Sequence, residues 1–404
     1  MKETARAQQH SSYRKTATMT KALILNNCGL ESFVSSELAQ ILLRKPNDLN
    51  ATTFNGAVLF ESKAHEELFK FCYLSQSATK VMSLIGMFVS SKDTLDSLLE
   101  QISSMDFSAW LSSSRTLAVR TDFEPLNSSR QEFESEIGST IIKQTSCKVN
   151  LSSPDVLIYV CKRDTTVFVG VDFSGADLAK RDYRIFTGRQ NIKSPVAAFA
   201  CHKAGIKKGE VIVDPFCKNG TVVIECTHML LGRSVHLFAK DKFQCTKMPE
   251  FSTISFDEFF EDIDKKQLAE LPATLYAVDG DFRHISSSKK NAKIAGVEKM
   301  ISFSRTTPDW IDTKFEKGEV DHIITYVPQF SKTFSQKEIE KKLEELFYQA
   351  NFVVSKKGSV VCISSETKIL EACAEKHKFR KTFEQLVLQG QESFFVAVFE
   401  FKKD

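Results

Sequence analysis

Two hydrophobic patterns divide this chain. In the first part, short apolar strands alternate with amphipathic helices. KALILNN (21–27) precedes LESFVSSELAQILL (30–43), where Leu30, Phe33, Val34, Leu38, Ile41 and Leu42 recur at helical spacing. A polar turn and Gly56 lead into the strand AVLFES (57–62), and residues 65–88 read as a helix running into a strand. This order predicts a small α+β module of the ferredoxin-like kind over 22–89. In a second unit, 90–175, residues 94–111 are amphipathic and TLAVRTDF (116–123) alternates like a half-buried strand. Residues 129–145 form a helix with Ser129 as its N-cap, and two strands follow around the turn Lys162–Thr165.

Beyond residue 191 the pattern changes. VIVDPF (211–216), LYAVD (275–279), HIITYV (322–327) and SVVCISS (359–365) are nearly all apolar and alternate with helices. That is the signature of a parallel sheet covered on both faces. FEQLVLQ and SFFVAVFEF, separated by Gly390, predict an antiparallel hairpin at its edge. The expected fold class is α/β: a doubly wound, mostly parallel Rossmann-like sheet with a C-terminal antiparallel hairpin over 191–404, preceded by the two α+β units. Residues 176–190 read as a basic linker and 1–21 as a disordered basic leader.

Composition narrows the function. Lys+Arg 54 against Asp+Glu 51 excludes a globally basic nucleic-acid binder and leaves room for a local basic groove. No apolar run reaches the roughly 18 residues of a membrane helix, so no membrane partner is expected. The 10 cysteines form no C-x-x-C pair, which speaks against a zinc ribbon; no metal is expected, and a reducing, cytoplasmic setting is. The leader, with Glu3 its only acid, also leaves a mitochondrial address open. The 33 Phe against 7 Tyr and 2 Trp are expected mostly in cores, the cluster Phe256, Phe259 and Phe260 included.

Two segments carry chemistry. In 209–232 an apolar strand ends at Asp214, a turn contains Gly220, and a helix follows with Glu225 early in it. In 275–297 a strand ends at Asp279, with Asp281 just after, before another helix. Ligands of doubly wound sheets bind at such strand ends, and an acid there can hold a ribose diol. No G-x-G-x-x-G follows the first strand, which removes a dinucleotide oxidoreductase.

With these motifs in order, the chain resembles the THUMP-domain RNA guanine-N2 methyltransferases. Asp172, Ser174, Gly175, Leu178, Lys180, Arg181, Tyr183 and Arg184 match that family's D-x-S-G-x-x-L-x-K-R-x-Y-R. Asp214-Pro-Phe216-Cys-Lys-Asn-Gly220-Thr221 through Glu225 match D-P-F-C-G-S-G-T-x-x-I-E, and Asn291-Ala292 through Ala295-Gly296-Val297 match N-A-x-x-A-G-V. The resemblance implies a chain that binds rRNA or tRNA and uses S-adenosylmethionine (SAM). It implies a cofactor site of Asp214, Phe216, Gly220, Thr221, Asp279 for the ribose and Asp309 toward the adenine amine. It also implies RNA contacts from Lys180, Arg181, Arg184 and Arg189. Two departures bear on catalysis. Lys218 and Asn219 replace Gly and Ser in the glycine-rich turn, and Tyr326-Val327-Pro328-Gln329 stands where the family has Asn/Asp-Pro-Pro-Tyr/Phe. The catalytic position therefore falls on Tyr326, Pro328 and Gln329. Two readings stay open: a transferase acting on guanine N2, and an inactive paralogue that binds RNA or assists assembly, with a protein partner.

Overall fold

A computed structural model describes residues 19–188, 191–330 and 335–402. Nearly all of the expected leader, together with Arg189, lies outside the described residues. The first half runs β1 (Thr20–Asn26), α1 (Glu31–Leu42), β2 (Thr52–Phe54), β3 (Ala57–Ser62), α2 (His65–Leu74), β4 (Ala78–Val89), α3 (Leu95–Ser103), β5 (Thr116–Thr121), α4 (Arg130–Thr145), β6 (Lys148–Val149), β7 (Val156–Arg163) and β8 (Thr166–Asp172). Ser129 caps α4, its hydroxyl accepting the Glu132 N–H at 3.2 Å. The strands form one eight-stranded sheet in the order β2-β3-β1-β4-β8-β7-β5-β6. β4 pairs antiparallel with both β1 and β8, so the two expected N-terminal units share a sheet. α3 stops at Ser103, short of the amphipathic stretch's end at Leu111, because Phe107 and Leu111 turn back as coil into the core beneath it.

The second half runs α5 (Ser194–Ala204), β9 (Val211–Asp214), α6 (Thr221–Leu231), α7 (Phe256–Asp264), β10 (Thr274–Val278), α8 (Phe282–Ile294), β11 (Ile301–Ser304), β12 (Val320–Tyr326), α9 (Gln336–Val353), β13 (Val354–Ser364), α10 (Lys368–Lys376), β14 (Phe379–Gln389) and β15 (Glu392–Phe401). The sheet order is β11-β10-β9-β12-β13-β15-β14. Strands β9 to β13 are parallel; β15 is antiparallel to β13 and to β14, the expected hairpin. The chain moves outward from β9 through β10 to β11, then returns to β12 on the other side of β9. That reversal opens a crevice at the carboxyl ends of β9 and β12. The pattern did not reveal β11: it is four residues long, half exposed, and carries two serines.

The halves interlock at three places. Residues 243–263, which follow α6, insert Phe243, Met248, Phe251 and Phe260 into the core of the first sheet. Phe251 lies edge-on to Phe69 at 4.8 Å and Phe260 lies 4.5 Å from Tyr73. The turn after β1 meets β14: Leu388 donates its N–H to the Cys28 carbonyl at 2.9 Å. A Cβ at Gly29 would stand 2.0 Å from the Leu386 carbonyl oxygen, so no other residue fits there.

The third place is a buried charge. Glu225, in α6, is fully enclosed. Its carboxylate accepts from Gln76 at 2.7 Å, the Tyr183 hydroxyl at 2.7 Å and the Arg181 Nε at 3.1 Å. Arg181 also donates to the Gln76 carbonyl at 2.7 Å. The first sheet's unit, the linker and α6 thus meet on one ion pair whose side chains are both inaccessible. This corrects the expectation that Arg181 faces RNA phosphates: it is consumed by Glu225. Among the described residues no helix is long and apolar enough to cross a membrane.

Arg181→Ala strands Glu225 as a buried unpaired charge. Chemical unfolding will register a loss of about 3–5 kcal/mol. Lys180→Ala, one residue away and exposed, will stay within about 0.5 kcal/mol of wild type.

Candidate active site

The crevice is walled by the turn after β9, the start of α8 and the segment after β12. β9 ends in Asp214, whose carboxylate accepts from the Thr325 hydroxyl at 2.6 Å and the Phe216 N–H at 3.2 Å. Burial pushes this carboxyl up to about 7 despite those bonds. Phe216 contributes its backbone here, while its ring packs into the core with Val213, Val278 and Ile311. Gly220 takes φ +81°, and a Cβ there would meet the Ser288 Oγ at 2.3 Å, so α8 packs directly against a bare backbone.

Hydrogen bonds hold the turn shut. Thr221 donates its hydroxyl to the Asn219 side-chain oxygen at 3.0 Å. Asn219 donates to Asn191 at 2.7 Å, and Asn291 donates to the Asn219 carbonyl at 2.9 Å. Asn291 also exchanges bonds of 3.0 Å with the Phe186 backbone, tying the linker to the turn. Asn191 and the motif residue Asn291 are therefore clamps on the glycine-rich turn.

Asp279 closes the other wall. One of its oxygens accepts the Lys218 N–H at 3.1 Å; the other accepts the Asp281 N–H at 2.9 Å and contacts His284 Nδ1 at 3.0 Å. The hydrogen bond to Asp279 holds the His284 imidazole above its ordinary range, against partial burial. Sequence reasoning missed His284, although its place in the first turn of α8, five residues after Asp279, was a usable signal. Asp281 caps α8 and pairs with Arg283, whose hydrogen bonds lower its carboxyl to about 2. Asp309 is exposed on a short 3-10 turn. Thr307 instead leans over the backbone between the two acids: its Cγ2 lies 2.5 Å from where a Gly280 Cβ would be.

The segment after β12 differs most from expectation. Tyr326 is buried against Phe394 with ring centroids 5.7 Å apart. Pro328 is buried beside it. Gln329 turns back on the chain: its amide donates to the Val327 carbonyl at 2.6 Å, and its oxygen accepts the Ser365 N–H at 2.8 Å. Gln329, expected at the catalytic position, therefore has its oxygen engaged by Ser365 and does not offer it to a substrate amine. The Lys218 Nζ lies 3.4 Å from the same Val327 carbonyl and 3.6 Å from the Tyr326 ring centroid. Of the basic cluster, Lys180 is exposed and Arg184 is half-buried, donating to Asn191 at 2.9 Å; Arg181 is spent on Glu225.

Replacing Asp279 by Asn removes the anion beside His284. The imidazole will then titrate closer to its ordinary value of 6.5, as read from its ring proton shifts by NMR. The stabilisation from this pair is fully present below 6.5 and is lost as pH rises through the elevated value in the fold. An unchanged titration in the variant would break the assigned contact.

Known proteins are similar to this chain in sequence and fold. A THUMP domain matches residues 92–172. A tRNA (guanine(6)-N2)-methyltransferase of Methanocaldococcus jannaschii is 24% identical over 335 residues, covering 80% of this chain and 85% of that one. The ribosomal RNA large subunit methyltransferase K/L of Vibrio cholerae is 27% identical over 300 residues, covering 71% of this chain, but the match spans only 40% of that longer enzyme. Two solved structures share the fold. TrmN from Thermus thermophilus aligns with a TM-score of 0.68 at 18% identity, over 95% of this chain and 100% of that one. SMU.472, solved in complex with SAH, aligns with a TM-score of 0.78 at 17% identity, over 96% and 100%. Residues 181–392, more than half the chain, match the UPF0020 model, and the chain belongs to that family, the RMKL-like methyltransferase domains.

Proposed function

We propose that this protein is a SAM-dependent RNA methyltransferase acting on the exocyclic N2 amine of guanine, with tRNA as its substrate. The observation that carries the reading is the crevice itself. A carboxylate at the end of β10, a glycine-opened turn after β9 and a backbone carbonyl after β12 converge where the sheet order reverses. The working units are 22–89 and 90–175, which share one sheet, and 191–404. The preference for tRNA rests on length: the chain matches most of the archaeal tRNA enzyme and less than half of the ribosomal one. Ten cysteines without a disulfide support the cytoplasmic reading.

The residues fit the cofactor's parts. Asp279, on the rim of the glycine turn, would accept the ribose hydroxyl protons. Thr307, and Asp309 after a local shift, would border the adenine. Gly220 and Thr221 would let the backbone approach the methionine end, with Asp214 fixing the strand end beneath. SAM supplies an electrophilic methyl group. The chain's own task is to orient the amine nitrogen toward it. The Val327 carbonyl would be the acceptor, and an N–H bonded to it turns the nitrogen lone pair away from the carbonyl and toward the donor. Phe330, exposed just after the motif, offers a ring on which a flipped base can stack. Lys180 and Arg184 would meet RNA phosphates.

Labelled methyl from SAM will enter tRNA, and nucleoside digestion will yield N2-methylguanosine. Asp279→Ala will weaken SAM binding by about 1.5–3 kcal/mol in calorimetry, the range for hydrogen bonds to a charged group. Incorporation into another base, or none, would overturn this function.

A further inference from the structure

Lys218 sends its side chain from the glycine-rich turn into the acceptor site, and its backbone is unusual. It holds φ +48°, a left-handed conformation unfavourable for a lysine and natural for the glycine it replaces. Its N–H is fixed by Asp279, which aims the side chain across the crevice toward β12. There the ammonium approaches the Val327 carbonyl at 3.4 Å and the Tyr326 ring at 3.6 Å. The Gln329 amide already donates to that carbonyl at 2.6 Å. A carbonyl oxygen has two lone pairs, so the acceptor on which a guanine amine would dock is filled by two donors of this chain. The face of Tyr326 is likewise covered by a cation.

Resting on the methyltransferase reading, we propose that Lys218 is a tethered cation that closes the acceptor site and must leave Val327 and Tyr326 before donor and amine can meet. The ammonium reproduces two features of the reacting pair at once: the N–H donation of the amine and the positive charge of the sulfonium. Two cations do not share a water-poor crevice, so SAM and the ammonium compete. The surroundings leave the contact reversible. Burial pushes the Lys218 amine down to about 7, the Asp214 and Asp279 carboxylates pull it upward, and Lys342 opposes them. Lys218 is a gating residue and touches no reacting atom once displaced. Its presence in the turn makes methyl transfer conditional on binding that is strong enough to expel it.

The test compares the full-length wild type with Lys218→Asn, since asparagine tolerates the left-handed backbone. Isothermal titration will show SAM binding at least about tenfold tighter in the variant. SAH, whose sulfur carries no charge, will gain less, so the ratio of SAM to SAH affinity will rise. In the wild type, reductive methylation with a carbon-13 label will place one lysine signal upfield, under the Tyr326 ring current, and SAM will return it to the ordinary range. Equal SAM affinity in the two proteins would overturn the gate and leave the methyltransferase reading standing. No upfield lysine signal in the wild type would also overturn it. Failure of both proteins to bind SAM would overturn gate and function together.

Discussion

The Glu225 carboxylate is the constraint on which the rest of the structure hangs. It sits in the first turns of α6, directly behind the glycine-rich turn, and is surrounded by donors from two other stretches of chain: Gln76 on one, Arg181 and Tyr183 on the other. An enclosed carboxylate is tolerated only when its hydrogen bonds are satisfied, and these are. The consequence is mechanical. The eight-stranded sheet, the linker and the helix that begins at the cofactor turn cannot shift independently without exposing or stranding a charge. The aromatic insertion of 243–263 and the contact of Gly29 with β14 add two further ties between the same halves.

This lock joins two motifs that are distant in the sequence. The linker motif ending in Arg181 and Tyr183 and the strand-turn-helix motif ending in Glu225 are two halves of one ion-pair cluster. Asp172, Ser174 and Gly175 act similarly: Asp172 takes the Ser174 N–H at 2.9 Å and a lysine contact from Lys80 at 2.6 Å, and a Cβ on Gly175 would stand 2.9 Å from the Lys242 carbonyl. What is delivered to the crevice is therefore a fixed orientation of RNA-handling surface against acceptor site. Within that frame, the Lys218 side chain reaches from the glycine-rich turn to the Val327 carbonyl.

Much of the fold was legible because burial on both faces leaves near-continuous apolar strands, as in β9, β10, β12 and β13, and because Ser129 and Gly390 mark their own cap and turn. β11 was not legible, being short and half exposed. The site was legible to the level of strand ends: Asp214, Gly220 and Asp279 lie together as the motif order implied. The roles of individual side chains were not. Arg181 carries the charge of a phosphate ligand, but only its three-dimensional surroundings reveal Glu225. Gln329 carries an amide oxygen in the right neighbourhood, but Ser365, 36 residues on, claims it. His284 and Thr307 enter the site through the packing of α8 and a close approach to Gly280, neither of which has a periodic signature.

The central claim is that one buried charge cluster fixes the RNA-handling sheet against the methyltransferase sheet. It is tested most directly by the distance between them in solution. Spin labels at cysteines introduced for the exposed Lys143 and Lys376, measured by pulsed electron–electron resonance, report on the two bodies. The account predicts a single narrow distance distribution that RNA leaves unchanged. A broad or two-peaked distribution in the wild-type background would contradict it.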